Sequence, residues 1–124
     1  MNWGRIVRDA LLIMLITALG GFLIGVFAAS RGDKSSMAAI AVSNIGLATI
    51  GFAISGSLTR ANRVRHLLSV AALVWLLSLA NVAFGISLAQ WAASAIAILF
   101  SCGVGGAISA LMFRRTPNES LPSQ

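Results

Sequence analysis

The side chains able to do chemistry in this 124-residue chain are few and far apart. There is one histidine, His66, one cysteine, Cys102, and three acids, Asp9, Asp33 and Glu119. A metal centre needs several of these groups converging on one point. His66 has no second histidine beside it, and the acids fall in the connections and the tail, so no metal site is expected. Cys102 lies between Ser101 and Gly103 in an apolar run. A reactive thiolate needs a cation or a helix start next to it, so Cys102 reads as a small packing residue. A single cysteine also rules out a disulfide within the chain. Serines are numerous but have no His or Asp at usable positions, and no phosphate-cradling loop is present. The expectation is a protein with no catalytic residues, no cofactor and no enzymatic activity. His66 then reads as a helix-start residue in a basic loop.

What surrounds these groups decides their solvent. Four long runs without a charged side chain, at about 10–29, 37–58, 67–87 and 91–113, make up most of the chain. Each is about as long as a helix must be to cross a hydrocarbon core of ~30 Å. Hydrophobic residues are 58% of the chain and charged ones 10%, well short of the ~25% charged typical of soluble domains. The sequence therefore predicts an all-α membrane protein, a four-helix up-down bundle with short connections, as one domain over residues 1–115. The nonapeptide after it, 116–124, holds both prolines and no apolar pattern and is expected to be disordered.

Basic residues set the orientation. Arg5, Arg8, Arg60, Arg63, Arg65, Arg114 and Arg115 fall on one side of the predicted spans, and Arg31 and Lys34 on the other. With short connections this bias places the first side, and both termini, in the cytoplasm of a bacterial-type inner membrane. The net charge of +6 is thus a lipid-facing feature, with Arg60, Arg63 and Arg65 as headgroup anchors, and no nucleic acid is expected as a partner. The first run is too long for a secretory signal, whose apolar part is about 7–15 residues. Arg31-Gly32-Asp33 spells an adhesion tripeptide but reads as a turn.

Helices in lipid associate through small residues and a few hydrogen bonds, because the tails are as apolar as leucine. The fourth span has a small residue at every fourth position: Ala89, Ala93, Ala97, Ser101, Gly105 and Ser109. The first offers Gly21 and Gly25. The second has two small faces, one with Gly46 and Gly56 and one with Asn44 and Gly51, and is expected at the centre of the bundle. Its bulky Ile40, Leu47, Ile54 and Leu58 are expected to face lipid. Asn44 and Asn81 fall at matching depth and are expected to bond each other, with Ser78 as a third member.

Length and span number are similar to those of the small multidrug exporters and the small fluoride channels. The exporters' membrane glutamate in span one and the channels' Thr-Thr-Phe-Ser motif are both absent here. The reading is a structural, accessory or assembly role, with membrane lipids and a second copy or another membrane protein as partners. The alternatives are a small homo-oligomeric channel or transporter for a neutral or anionic solute, and a phage-type immunity or holin-like protein.

Overall fold

A computed structural model of the protein describes residues 3–31, 36–59 and 62–112. Gly32, Asp33, Lys34, Arg60, Arg114, Arg115 and the tail at 116–124 lie outside the described residues. Four helices run up and down: α1 (Trp3–Ser30), α2 (Ser36–Leu58), α3 (Arg63–Leu77) and α4 (Leu88–Met112). A 3-10 segment, Ser78–Phe84, extends α3. All four spans are long and apolar enough to cross a membrane, and the chain is a small polytopic membrane protein. Both prolines lie beyond Thr116, so every spanning backbone amide can bond within its own helix, as lipid requires. Large apolar side chains such as Phe22, Val42, Ile96 and Phe100 stay more than 60% exposed on the bundle, which suits a hydrocarbon surround.

The connections have local causes. The α2–α3 turn passes through Asn62 at φ 53, a left-handed conformation that asparagine tolerates better than most residues. Gly85, at φ 99, ends the 3-10 segment, where a Cβ would be strained. Ser87 and Gln90 then start α4. The Gln90 amide donates to Ser87 Oγ at 3.2 Å and the Ser87 amide donates to Gln90 Oε1 at 3.0 Å, a reciprocal cap. This box sets the start of the fourth helix at Leu88, ahead of the expected Trp91. The first helix likewise begins at Trp3 and takes Asp9 into its body.

α2 and α3 each pack on both α1 and α4, with a smaller contact between α2 and α3 themselves. On one face of α2, a Cβ at Gly51 would lie 2.8 Å from Ile13 Cγ1. On another, a Cβ at Gly105 of α4 would lie 2.6 Å from the Thr49 carbonyl oxygen and 2.9 Å from the Ala53 nitrogen. Gly56 meets Ser109 in the same way. Two expectations fail here. Leu47 packs on Gly20 and Ile40 lies against Gly25, so these bulky residues fill hollows left by α1 glycines. Only Ile54 and Leu58 of that set face outward. Gly46 is exposed, with open space where a side chain would stand.

Candidate functional site: a polar clasp beneath an uncharged cavity

The apolar core occupies the end of the bundle that carries Arg5, Arg8, Arg63 and Arg65. Its buried members include Ile6, Ala10, Ile13, Phe52, Val70 and Cys102. The stripe 6, 9, 10, 13 on α1 repeats at helical spacing, and Asp9 belongs to it. The carboxylate is therefore carried inward with its apolar neighbours and is 3% exposed. The same logic carries in Ser55, one turn after Phe52 on α2, and His66, one turn before Val70 on α3.

These three groups meet. Ser55 Oγ donates to Asp9 Oδ2 at 2.7 Å, and His66 Nε2 stands 3.0 Å from the same oxygen. Arg8 donates to Asp9 Oδ1 through Nη2 at 2.8 Å and Nε at 3.0 Å. The clasp joins α1, α2 and α3 through one carboxylate. This corrects the expectation that the acids are scattered, that serines lack His or Asp partners, and that His66 has none. The signal was the position of Asp9 and His66 on buried stripes, which loop-based reading overlooked.

A Ser–His–Asp relay needs the imidazole to bridge serine and carboxylate through its two different nitrogens. Here one nitrogen, Nε2, faces both Asp9 Oδ2 and Ser55 Oγ (3.4 Å), and the Ser55 proton goes to the carboxylate. The arrangement fits holding helices together. It does not fit activating a nucleophile.

Above the core the helices part around a cavity of about 880 Å³. Buried Ile13, Ala48, Phe52, Val74 and Ser101 form its floor, and exposed Asn81, Phe84, Gly85 and Gln90 its rim. No charged side chain lines it among the described residues. Its polar lining is amide and hydroxyl: Thr17, Asn44, Ser78, Asn81, Gln90, Ser94 and Ser101. Most hydroxyls are already committed. Thr17 donates to Ile13 O and Met14 O, Ser78 to Trp75 O and Ser94 to Trp91 O. Asn44 Oδ1 is buried without a hydrogen-bond partner and lies 3.2 Å from where a Gly21 Cβ would be. The expected Asn44–Asn81 bond is therefore not made by that oxygen. Asn81 is exposed on the 3-10 segment, whose tighter winding and longer rise per residue give it a different direction and depth from those of a continuous α-helix.

Of the predicted packing positions, Ser101, Gly105 and Ser109 are buried, and Ala97 lines the cavity. Ala89 and Ala93 are exposed. The row therefore serves two surfaces in succession. Of the predicted headgroup anchors, Arg63 donates through Nε to Thr59 O at 3.5 Å, and Arg65 is exposed.

One cavity wall is locked by a repeated pattern that sequence inspection passed over, Trp75-x-x-Ser78 and Trp91-x-x-Ser94. The two indoles stack at 4.3 Å, 11° from parallel. Each indole N–H donates to the other tryptophan's carbonyl oxygen, at 3.2 and 3.0 Å. Replacing either tryptophan with phenylalanine should cost about 1 kcal/mol from the lost bond. Thermal unfolding in detergent would read this; unchanged melting for both variants would show the pair to be incidental.

No family model matches the chain, and neither does any curated protein or solved structure.

Proposed function

We propose that this membrane protein binds an uncharged amphipathic small molecule in its cavity and serves as a small carrier for it, without enzymatic activity. The observation that supports the reading is the combination of a roughly 880 Å³ space with a wall of apolar, amide and hydroxyl groups. That volume lies within the ~300–1,000 Å³ of small-molecule sites. A charged solute would lose its hydration there with no counter-charge to replace it. Asn44 and the hydroxyl side chains add polar character to that wall. The basic end is taken as cytoplasmic by the distribution of arginines, in a bacterial-type inner membrane, which sets the cavity mouth on the outer side.

A photoreactive fatty alcohol carrying a diazirine tests this in proteoliposomes. It should label the cavity wall around Asn44, Ala97 and Ser101. Ala97→Phe, which fills the cavity without removing a polar group, should cut that labelling about tenfold, a loss equivalent to ~1.4 kcal/mol of binding. The matching fatty acid and fatty amine should label the wall weakly. Labelling confined to outward residues such as Ile96 and Phe100 would dismiss the reading.

A second reading, assembly with a second copy or another membrane protein, is favoured by one observation. Gly46 and Gly103 are exposed with nothing near the position of a Cβ, so they leave room for a close helix neighbour. The inner half of the α4 row cannot serve it, because α2 already covers Gly105. Cross-linking that detects only monomer in native membranes would remove this reading.

A further inference from the structure

We infer that the Asp9–His66 pair is a proton-binding site, and that its occupancy sets how firmly the end of the bundle beneath the cavity is closed. The inference rests on the cavity reading only for its consequence, the coupling of a proton to access.

Three layers are stacked along the bundle axis. The cavity stands on an apolar plug built around Phe52, which is completely buried. Below the plug lies the clasp, where one carboxylate ties α1 to Ser55 of α2 and His66 of α3. These are the elements that must separate for the cavity to reach the basic end. A buried, titratable tie at that level is out of place in a purely structural bundle, since intramembrane ionisable groups are costly to keep.

A crevice of about 190 Å³, lined by Arg5, Arg8, Asp9, Leu58 and Thr59, opens beside Asp9 at the basic end, and the His66 side chain keeps 11% of its surface exposed. A proton from water binds His66 Nδ1, the imidazole becomes imidazolium, and Nε2–H stays donated to Asp9 Oδ2, which remains a carboxylate. The bond then joins two opposite charges and strengthens. Release of that proton to water reverses the change and loosens the tie.

The charged groups near the pair are Arg8, bonded to Asp9 Oδ1, Arg5, which lines the same crevice, and Arg63 and Arg65 in the first turn of α3. The described residues of α2 offer only the hydroxyls of Ser55 and Thr59, and those of α4 only the Cys102 thiol, one layer deeper.

The chain carries its own reporters, since it has one histidine and one cysteine. Cys102 is 5% exposed within the plug, so its alkylation by N-ethylmaleimide reports opening. Its rate is divided at each pH by that of the unfolded chain, which removes thiolate chemistry. The ring NMR signal of His66 reports its protonation directly. Between about pH 5.5 and about pH 8.5, a range in which histidine ordinarily changes charge, Cys102 protection should fall about tenfold. It should fall along the same curve as the His66 signal. His66→Gln, which keeps a donor but cannot titrate, should show a flat profile. Protection that ignores pH, that departs from the His66 curve, or that still titrates in His66→Gln would overturn the inference. If that variant does not fold, the two wild-type curves decide alone. None of these readouts involves a cavity ligand, so failure here leaves the labelling test of the cavity intact.

Discussion

Leucine at Gly105 should prevent α4 from seating on α2 and lower stability by about 3 kcal/mol or more, the upper end of overpacking costs. A Cβ there would already lie 2.6 Å from the Thr49 carbonyl oxygen, 2.7 Å from Phe52 Cβ and 2.9 Å from the Ala53 nitrogen. Two of these are backbone atoms of a packed helix and cannot swing aside as a side chain would. The whole α2–α4 interface would have to widen, and with it the bond from Ser101 Oγ to the Ile45 carbonyl. Gly103→Leu is the matched control, because nothing lies near its Cβ position. Unfolding of detergent-solubilised protein by a denaturing detergent should separate the two variants clearly. Equal stability for both would mean that the α2–α4 contact is not as close as described.

Asp9→Leu should have an effect of similar size for a different reason. It leaves Ser55 Oγ and His66 Nε2 in the protein interior without their acceptor, at an expected cost of about 3 kcal/mol. Arg8, whose side chain is 54% exposed, should contribute little, since water can replace its bond. The triple variant Asp9→Leu, Ser55→Ala, His66→Leu removes the stranded partners as well as the carboxylate. It should recover stability to within about 1 kcal/mol of the parent, because apolar packing commonly replaces a buried polar cluster without loss. The same triple variant should lose all pH response of Cys102 protection. A single variant as stable as the parent would show that water enters the clasp freely.

The two substitutions bear on how the ends of the bundle differ. At the basic end, Ile6, Ala10, Ile13, Phe52 and Val70 are buried together, and Asp9 is bonded to Ser55 and His66. At the other end, small and polar residues line open space. Closure at one end and opening at the other is the arrangement that the proposed carrier reading calls for.

Much of the fold was legible before any coordinates. Uncharged runs of span length leave a helix as the backbone's one way to satisfy itself in lipid, so four spans and their connections follow from composition and periodicity. On α2, Gly51 lies against Ile13 of α1 and the backbone at Thr49 and Ala53 against Gly105 of α4, whereas Gly46, on one of its small faces, is exposed. Cap chemistry was present too: Ser87-x-x-Gln90 marks the start of α4, although the apolar run alone placed it later. The candidate site was not legible in the same way. Asp9, Ser55 and His66 are separated by 46 and 57 positions from the first to the others, and nothing local in the chain links them. Which helices become neighbours depends on how side-chain volumes fit around Gly51, Gly105 and Phe52, a property of the whole assembly. Sequence alone settled the solvent of this protein and the number of its helices, because both are sums over local residues. Only the tertiary packing could decide that a carboxylate, a hydroxyl and an imidazole share one point and that a cavity stands above them, because proximity across helices is not written in any single segment.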